Sequence, residues 1–156
     1  MNERARWLLK LRSVPPGVQD GIGQLNETVS HAPLGSPQAE AVLDTVKLMH
    51  INRQVRDVFG PSNTLPRKER KKMQREVKKR YETLFRGVGV RATQSDLYRD
   101  TFYTLTSEIT TLAKGLQAEQ SINYNDAFDK AISHFMELIM KTYGEDVVKN
   151  RLISDL

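Results

Sequence analysis

The chain has 156 residues, with 24 Lys and Arg against 19 Asp and Glu for a formal charge of +5, and it has no cysteine. That length suits one domain with a substantial core, and the missing thiols exclude disulfides, thiolate zinc sites, iron–sulfur clusters and cysteine nucleophiles. With 38% hydrophobic and 28% charged residues and a mean hydropathy of −0.53, the composition is that of a polar, helix-rich, soluble protein, and no apolar run approaches the roughly 20 residues of a membrane span.

From Asn2 to Arg12, Arg4, Trp7, Leu8 and Leu11 recur at helical spacing until Val14-Pro15-Pro16-Gly17 stops the pattern. This reads as a short amphipathic helix docked on the rest, with membrane-surface or partner binding as the other uses of its apolar face. An Arg-rich start also fits a mitochondrial presequence, against which stand Glu3 and the early Pro-Pro break. Val18, Ile22, Leu25 and Val29 then repeat at 4, 3 and 4, which predicts a helix over 18–30 that tolerates Gly21 and Gly23 through close helix contact or local flexibility. Residues 31–35 read as a loop, and 1–35 as a loosely packed N-terminal arm ahead of a helical core at 36–156.

Ser36-Pro37 supplies an N-cap and a proline at the first helical position, with Glu40 acidic in the first turn. A helix is predicted to Phe59, with Ala39, Val42, Leu43, Val46, Met49, Val55, Val58 and Phe59 inward and Gly60-Pro61 ending it. Pro61 to Pro66 is a tight connector into the most unusual stretch of the chain. Between Arg67 and Arg86 lie ten basic residues and three acids, a local charge of +7, whereas residues 1–66 carry +1 and residues 87–156 carry −3.

At 100° per residue, Met73, Val77, Tyr81, Leu84 and Phe85 of this stretch fall within about one third of the helix circumference and predict a docked apolar stripe. Lys68, Lys72, Arg75, Lys79 and Arg86 centre on the opposite side, forming a cationic ridge roughly 27 Å long. Arg70 and Arg80 fall beside or inside the apolar stripe, where they must snorkel, find an acid or reach a partner. The helix is predicted to end at Gly87 and Gly89, with 88–94 a loop.

Ser95-Asp96 caps a further helix in which Tyr98, Phe102, Leu105, Ile109, Leu112 and Leu116 keep unbroken 4, 3, 4, 3, 4 spacing, the pattern of a bundle seam. Its threonines suit a strand, but alternation covers fewer residues than the helical repeat. Asn123 to Asp126 starts a helix with a wide apolar face from Phe128 through Met140 to Tyr143-Gly144, and 145–156 reads as a short final helix. All six prolines lie at or before position 66. The expected fold is all-α, a single-domain helical bundle of five to seven helices with a segmented, Pro/Gly-containing N-terminal part.

Little in the sequence suggests catalysis. His31, His50 and His134 fall on separate predicted elements, and neither His-x-x-x-His nor Glu-x-x-His occurs. Gly21-x-Gly23 and Gly87-x-Gly89 lack the strand-to-helix context of a phosphate loop. Asp126 with Asp129, and Glu145 with Asp146, lie near helix starts, where capping and the helix dipole account for them. A non-enzymatic protein without metal or cofactor is therefore expected.

Closely spaced cations on one helix face are unfavourable alone and are relieved by a polyanion that releases its counterions on binding. The expected function is nucleic-acid binding, RNA or DNA, through backbone contacts. Lys68, Lys72, Arg75, Lys79 and Arg86 would meet phosphates with Arg70, Lys71 and Lys78 flanking, in a small subunit or accessory factor of a viral, phage or cellular nucleoprotein complex. The ridge lacks the Asn, Gln or aromatic side chains of base readout. The alternative is an adaptor or assembly subunit whose basic helix meets an acidic protein partner or a second copy, with helices 95–120 and 125–143 as oligomerisation surfaces. Both readings place the protein inside a cell or virion. The rival that bears most directly on the ridge is internal: the acidic residues of 87–156 could neutralise it within one chain.

Leu97-Tyr98-Arg99 resembles the Leu-Tyr-Arg element of the small helical LYR-motif proteins of mitochondria. That resemblance implies an assembly factor or accessory subunit. It covers three residues, and it departs from the family in that the motif opens the fifth predicted helix here and the first helix there.

Overall fold

A computed structural model of the chain describes residues 17–61 and 63–154. Six helices, with no strand among the described residues, follow one another: α1 (Val18–Ser30), α2 (Pro37–Phe59), α3 (Arg67–Gln94), α4 (Asp96–Gln120), α5 (Tyr124–Tyr143) and α6 (Glu145–Ile153). The all-α expectation holds, and the helix expected over 2–12 lies outside the described residues.

Local chemistry fixes most of the boundaries. Ser36 Oγ accepts from the Ala39 amide at 3.1 Å, Ser95 Oγ from Tyr98 at 3.2 Å and Asn123 Oδ1 from Asp126 at 2.9 Å. Each such cap satisfies an orphan amide and contributes about 1 kcal/mol. Between α5 and α6 the chain turns at Gly144, whose φ of 97° favours a residue without Cβ. Its amide donates to Met140 O at 3.0 Å and closes α5.

The main core joins α1, α2, α4, α5 and α6. Leu25 and Val29 of α1, Val42 and Val46 of α2, Leu105, Ile109, Leu112 and Leu116 of α4, Phe135 and Ile139 of α5 and Val148 of α6 are all buried in it. The seam along α4 and the wide face of α5 are thus packed inside the chain. Of the segment expected as a loose arm, residues 18–32 pack on this core, and 1–16 lie outside the described residues. Leu25, Val29 and Ala32 are buried, Tyr143 Oη donates to Ala32 O at 2.5 Å, and Thr28 donates to Glu108 at 2.7 Å. Gly21 permits the close approach of α1 to α4, since a Cβ there would lie 3.1 Å from Leu112 Cδ1, whereas a Cβ at Gly23 would meet open space.

A second, smaller core lies under α3. Ala41, Leu48 and Ile51 of α2, Leu84 and Val88 of α3 and Tyr98 of α4 form it, with Val55, Tyr81, Ala92 and Phe102 partly covering its edge. Helix α2 is therefore buried on two sides. The inward assignment of Phe59 is corrected: it is 53% exposed, while Val58 in the same last turn is buried.

Three polar side chains are buried with these apolar ones: Asp44, Thr45 and Lys47 of α2. Asp44 Oδ2 accepts from Tyr98 Oη and Arg91 Nε, both at 2.8 Å, and its Oδ1 accepts from Arg151 Nη1 at 3.1 Å. One carboxylate so ties α2, α3, α4 and α6. Lys47 Nζ donates to the carbonyl and hydroxyl oxygens of Ser154, which fixes the end of the last helix.

Candidate nucleic-acid interface

Helix α3 begins immediately after Pro66, whose carbonyl accepts from the Arg70 amide at 2.9 Å, and runs without a break to Gln94. The expected stop at Gly87 and Gly89, and the loop at 88–94, are overturned. Two mid-helix glycines cost about 1 kcal/mol each against alanine. Against that cost, Val88 is buried on the second core, a gain of roughly 1.5–3 kcal/mol, and Arg91 reaches the buried Asp44. Tertiary contacts decide the outcome.

Only Leu84 and Val88 of α3 are fully buried. Val77 and Tyr81 are half-buried, while Met73 is 39% and Phe85 58% exposed. The expected apolar stripe is thus docked through its middle and left open at both ends, and Phe85 is not a core residue. Toward its N-terminal end α3 is held to α2 by lighter contacts: Gln74 Nε2 donates to Val58 O at 3.2 Å, and Arg80 Nη1 lies 3.5 Å from Gln54 Oε1.

Lys68, Lys72, Arg75, Lys79 and Arg86 are all exposed. At 100° per residue they centre about 180° from the docked direction of Leu84 and Val88, although Lys79 also borders a cleft with Lys47, Ile51, Arg80, Thr83, Leu84 and Ser154. Lys71 and Lys78 are exposed on its flank; Arg70 and Arg80 are half-buried on the docking side and do not belong to it. Among the described residues, none of these nine cations makes an ion pair. Arg80, with Arg53, does help hold the His50 imidazole below its usual pKa, behind burial as the larger cause.

Among the described residues the same geometry gives the internal rival no ion pair to the ridge. No acid among the described residues of 87–156 pairs with the ridge, and Glu108 is half-buried against Thr28. Asp129 binds Arg56 at 2.6 Å, Asp96 and Asp100 hold Arg99, and Glu145 holds Lys149. Helix α3 packs on α2 and, at its C-terminal end, on α4, neither of which presents an acid to the ridge. Glu69, Glu76 and Glu82 on α3 itself are exposed and likewise make no ion pair among the described residues.

Of the Leu97-Tyr98-Arg99 tripeptide, Tyr98 is 2% exposed and serves the second core and Asp44, while Arg99 pairs with its own neighbours on the surface. Burial pushes the Tyr98 phenol well above its usual pKa. The histidines sit on three different elements: His31 caps α1, His50 lies within α2 and His134 within α5. No three His, Asp or Glu side chains among the described residues converge as metal ligands, and no helix among them is long and apolar enough to cross a membrane. Neither a protein family, nor a characterised protein, nor a solved structure significantly matches this chain.

Proposed function

We propose that this chain is a non-catalytic nucleic-acid-binding protein that contacts phosphates through the outer face of α3, as a small subunit or accessory factor of a nucleoprotein complex. The observation that carries this reading is the ridge itself: five exposed cations, without an ion pair among the described residues, spread over roughly 27 Å of one continuous helix and centred opposite its docked side. Among the described residues no ion pair relieves their mutual repulsion. A chain of phosphates supplies that relief, with release of condensed counterions as the driving force. Arg75 and Arg86 can grip phosphate oxygens with two N–H groups, while the lysines act as point charges. Phosphate contact fixes position on the strand and carries no sequence information.

If all five cations meet phosphates, the logarithm of the association constant falls against the logarithm of salt with a slope of about −3.5 to −4.5. Fluorescence anisotropy with labelled RNA and DNA oligonucleotides at a series of salt concentrations measures it. Replacing Lys72, Arg75 and Lys79 by Glu should abolish binding while leaving the helical circular dichroism unchanged, because none of the three supports the fold. A flat salt response, or unimpaired binding by the triple variant, overturns the proposal. Retained oligonucleotide binding alongside loss of a protein complex would instead assign the ridge to an acidic protein partner.

A further inference from the structure

Phe85 is the largest exposed apolar side chain on α3, and it stands at the C-terminal end of the cation ridge. Its ring is stacked on that of Tyr81, with centroids 6.0 Å apart and planes inclined by 12°. The pair borders a shallow depression completed by Glu82, Arg86, Gly89, Val90 and Thr93. Gly89 keeps the floor open, since a Cβ there would meet nothing within 4 Å. Lys71, Lys78 and Phe85 follow one another at seven-residue intervals, so the aromatic ring continues a row of flanking cations along the helix.

We infer that the nucleic acid is single-stranded and that Phe85, backed by Tyr81, is a platform on which one of its bases stacks while Lys78 and Arg86 hold the adjoining phosphates. The inference rests on the phosphate-binding reading and narrows it. A duplex offers a phosphate ridge only phosphates, because its base faces are already stacked on one another. A single strand presents π-faces beside its backbone, and aromatic side chains at the edge of a basic groove recover the stacking without demanding a sequence. An apolar protein partner would gain little from the Arg86 guanidinium in the depression and the row of lysines leading to it. Glu82 is the one acid in the depression, and on this assignment it weakens binding.

The test compares a labelled 12-nucleotide single strand, the same sequence as a duplex, and a single strand of equal length whose central residues are abasic, all at one salt concentration. The wild-type chain should bind the single strand tightest. Phe85→Ala should lose about ten- to a hundredfold on the single strand and little on the duplex or the abasic strand, and Phe85→Tyr should restore most of the loss. Glu82→Gln should tighten every complex. If no probe binds at low salt, the phosphate reading itself has failed. If all three bind equally and Phe85→Ala changes none, the phosphate reading stands and the stacking platform is overturned. Loss of self-association by Phe85→Ala in sedimentation, with oligonucleotide binding intact, also overturns it and assigns the ring to a second copy of the chain.

Discussion

Asp44 is 1% exposed, yet it receives a phenol and two guanidinium groups from three different helices. A buried carboxylate is stable only with such partners, and removing one member of a buried charge cluster leaves the others uncompensated. Asp44→Ala should therefore destabilise the fold by about 3–5 kcal/mol, read as a lowered urea midpoint. Arg99→Ala should change stability by less than about 1 kcal/mol, since its ion pairs with Asp96 and Asp100 are solvated. Similar midpoints for the two variants would refute this ranking. Nothing local in the sequence marks Asp44, because its partners lie 47, 54 and 107 residues further along. The same distance hides Lys47, whose partner is Ser154. Helical spacing placed Phe85 and Phe59 on apolar stripes, but spacing says only which side a residue faces, and neighbouring elements decide how much of that side is covered.

At the scale of the element, features encoded within one turn were legible. The caps at Ser36, Ser95 and Asn123 and the 4–3 repeat of α4 depend on residues a few positions apart. The course of α3 beyond Arg86 was not, because two glycines argued locally for a stop while Val88 and Arg91 drew the helix on through contacts with α2 and α4. Those glycines differ in what they do. A Cβ at Gly87 would lie 3.2 Å from Arg91 Nη2 and 3.3 Å from Nη1, so Gly87 makes room for the guanidinium that reaches Asp44. Gly89 faces open space. Gly89→Ala should then gain about 0.5–1 kcal/mol from helix propensity, a rise in Tm of roughly 1–4 °C, whereas Gly87→Ala should gain nothing or lose stability as Arg91 is displaced. Equal gains at both positions in thermal denaturation would contradict this division.

The two cores differ in size, and that difference sets how firmly each part of the molecule is held. Helices α1, α2, α4, α5 and α6 share the larger one, whereas α3 rests on the smaller through Leu84 and Val88, and no residue of α3 before Leu84 is fully buried. The ridge therefore begins on the least anchored length of helix among those described. Stability in a folded protein is distributed in this way, with sparsely packed helical turns opening at lower free energy than the core. Backbone amides of residues 71–80 should exchange with solvent well before those of residues 105–116 in α4, where Leu105, Ile109, Leu112 and Leu116 are all 0–1% exposed. Native-state hydrogen exchange read by mass spectrometry resolves the two segments. Adding a saturating single-stranded oligonucleotide should slow exchange in 71–80 selectively, because a ligand that binds only the closed helix stabilises it by mass action. Uniform exchange across α3 and α4 would show that the smaller core holds its helix as firmly as the larger. Protection appearing on α4 instead of α3 would place the polyanion away from the ridge.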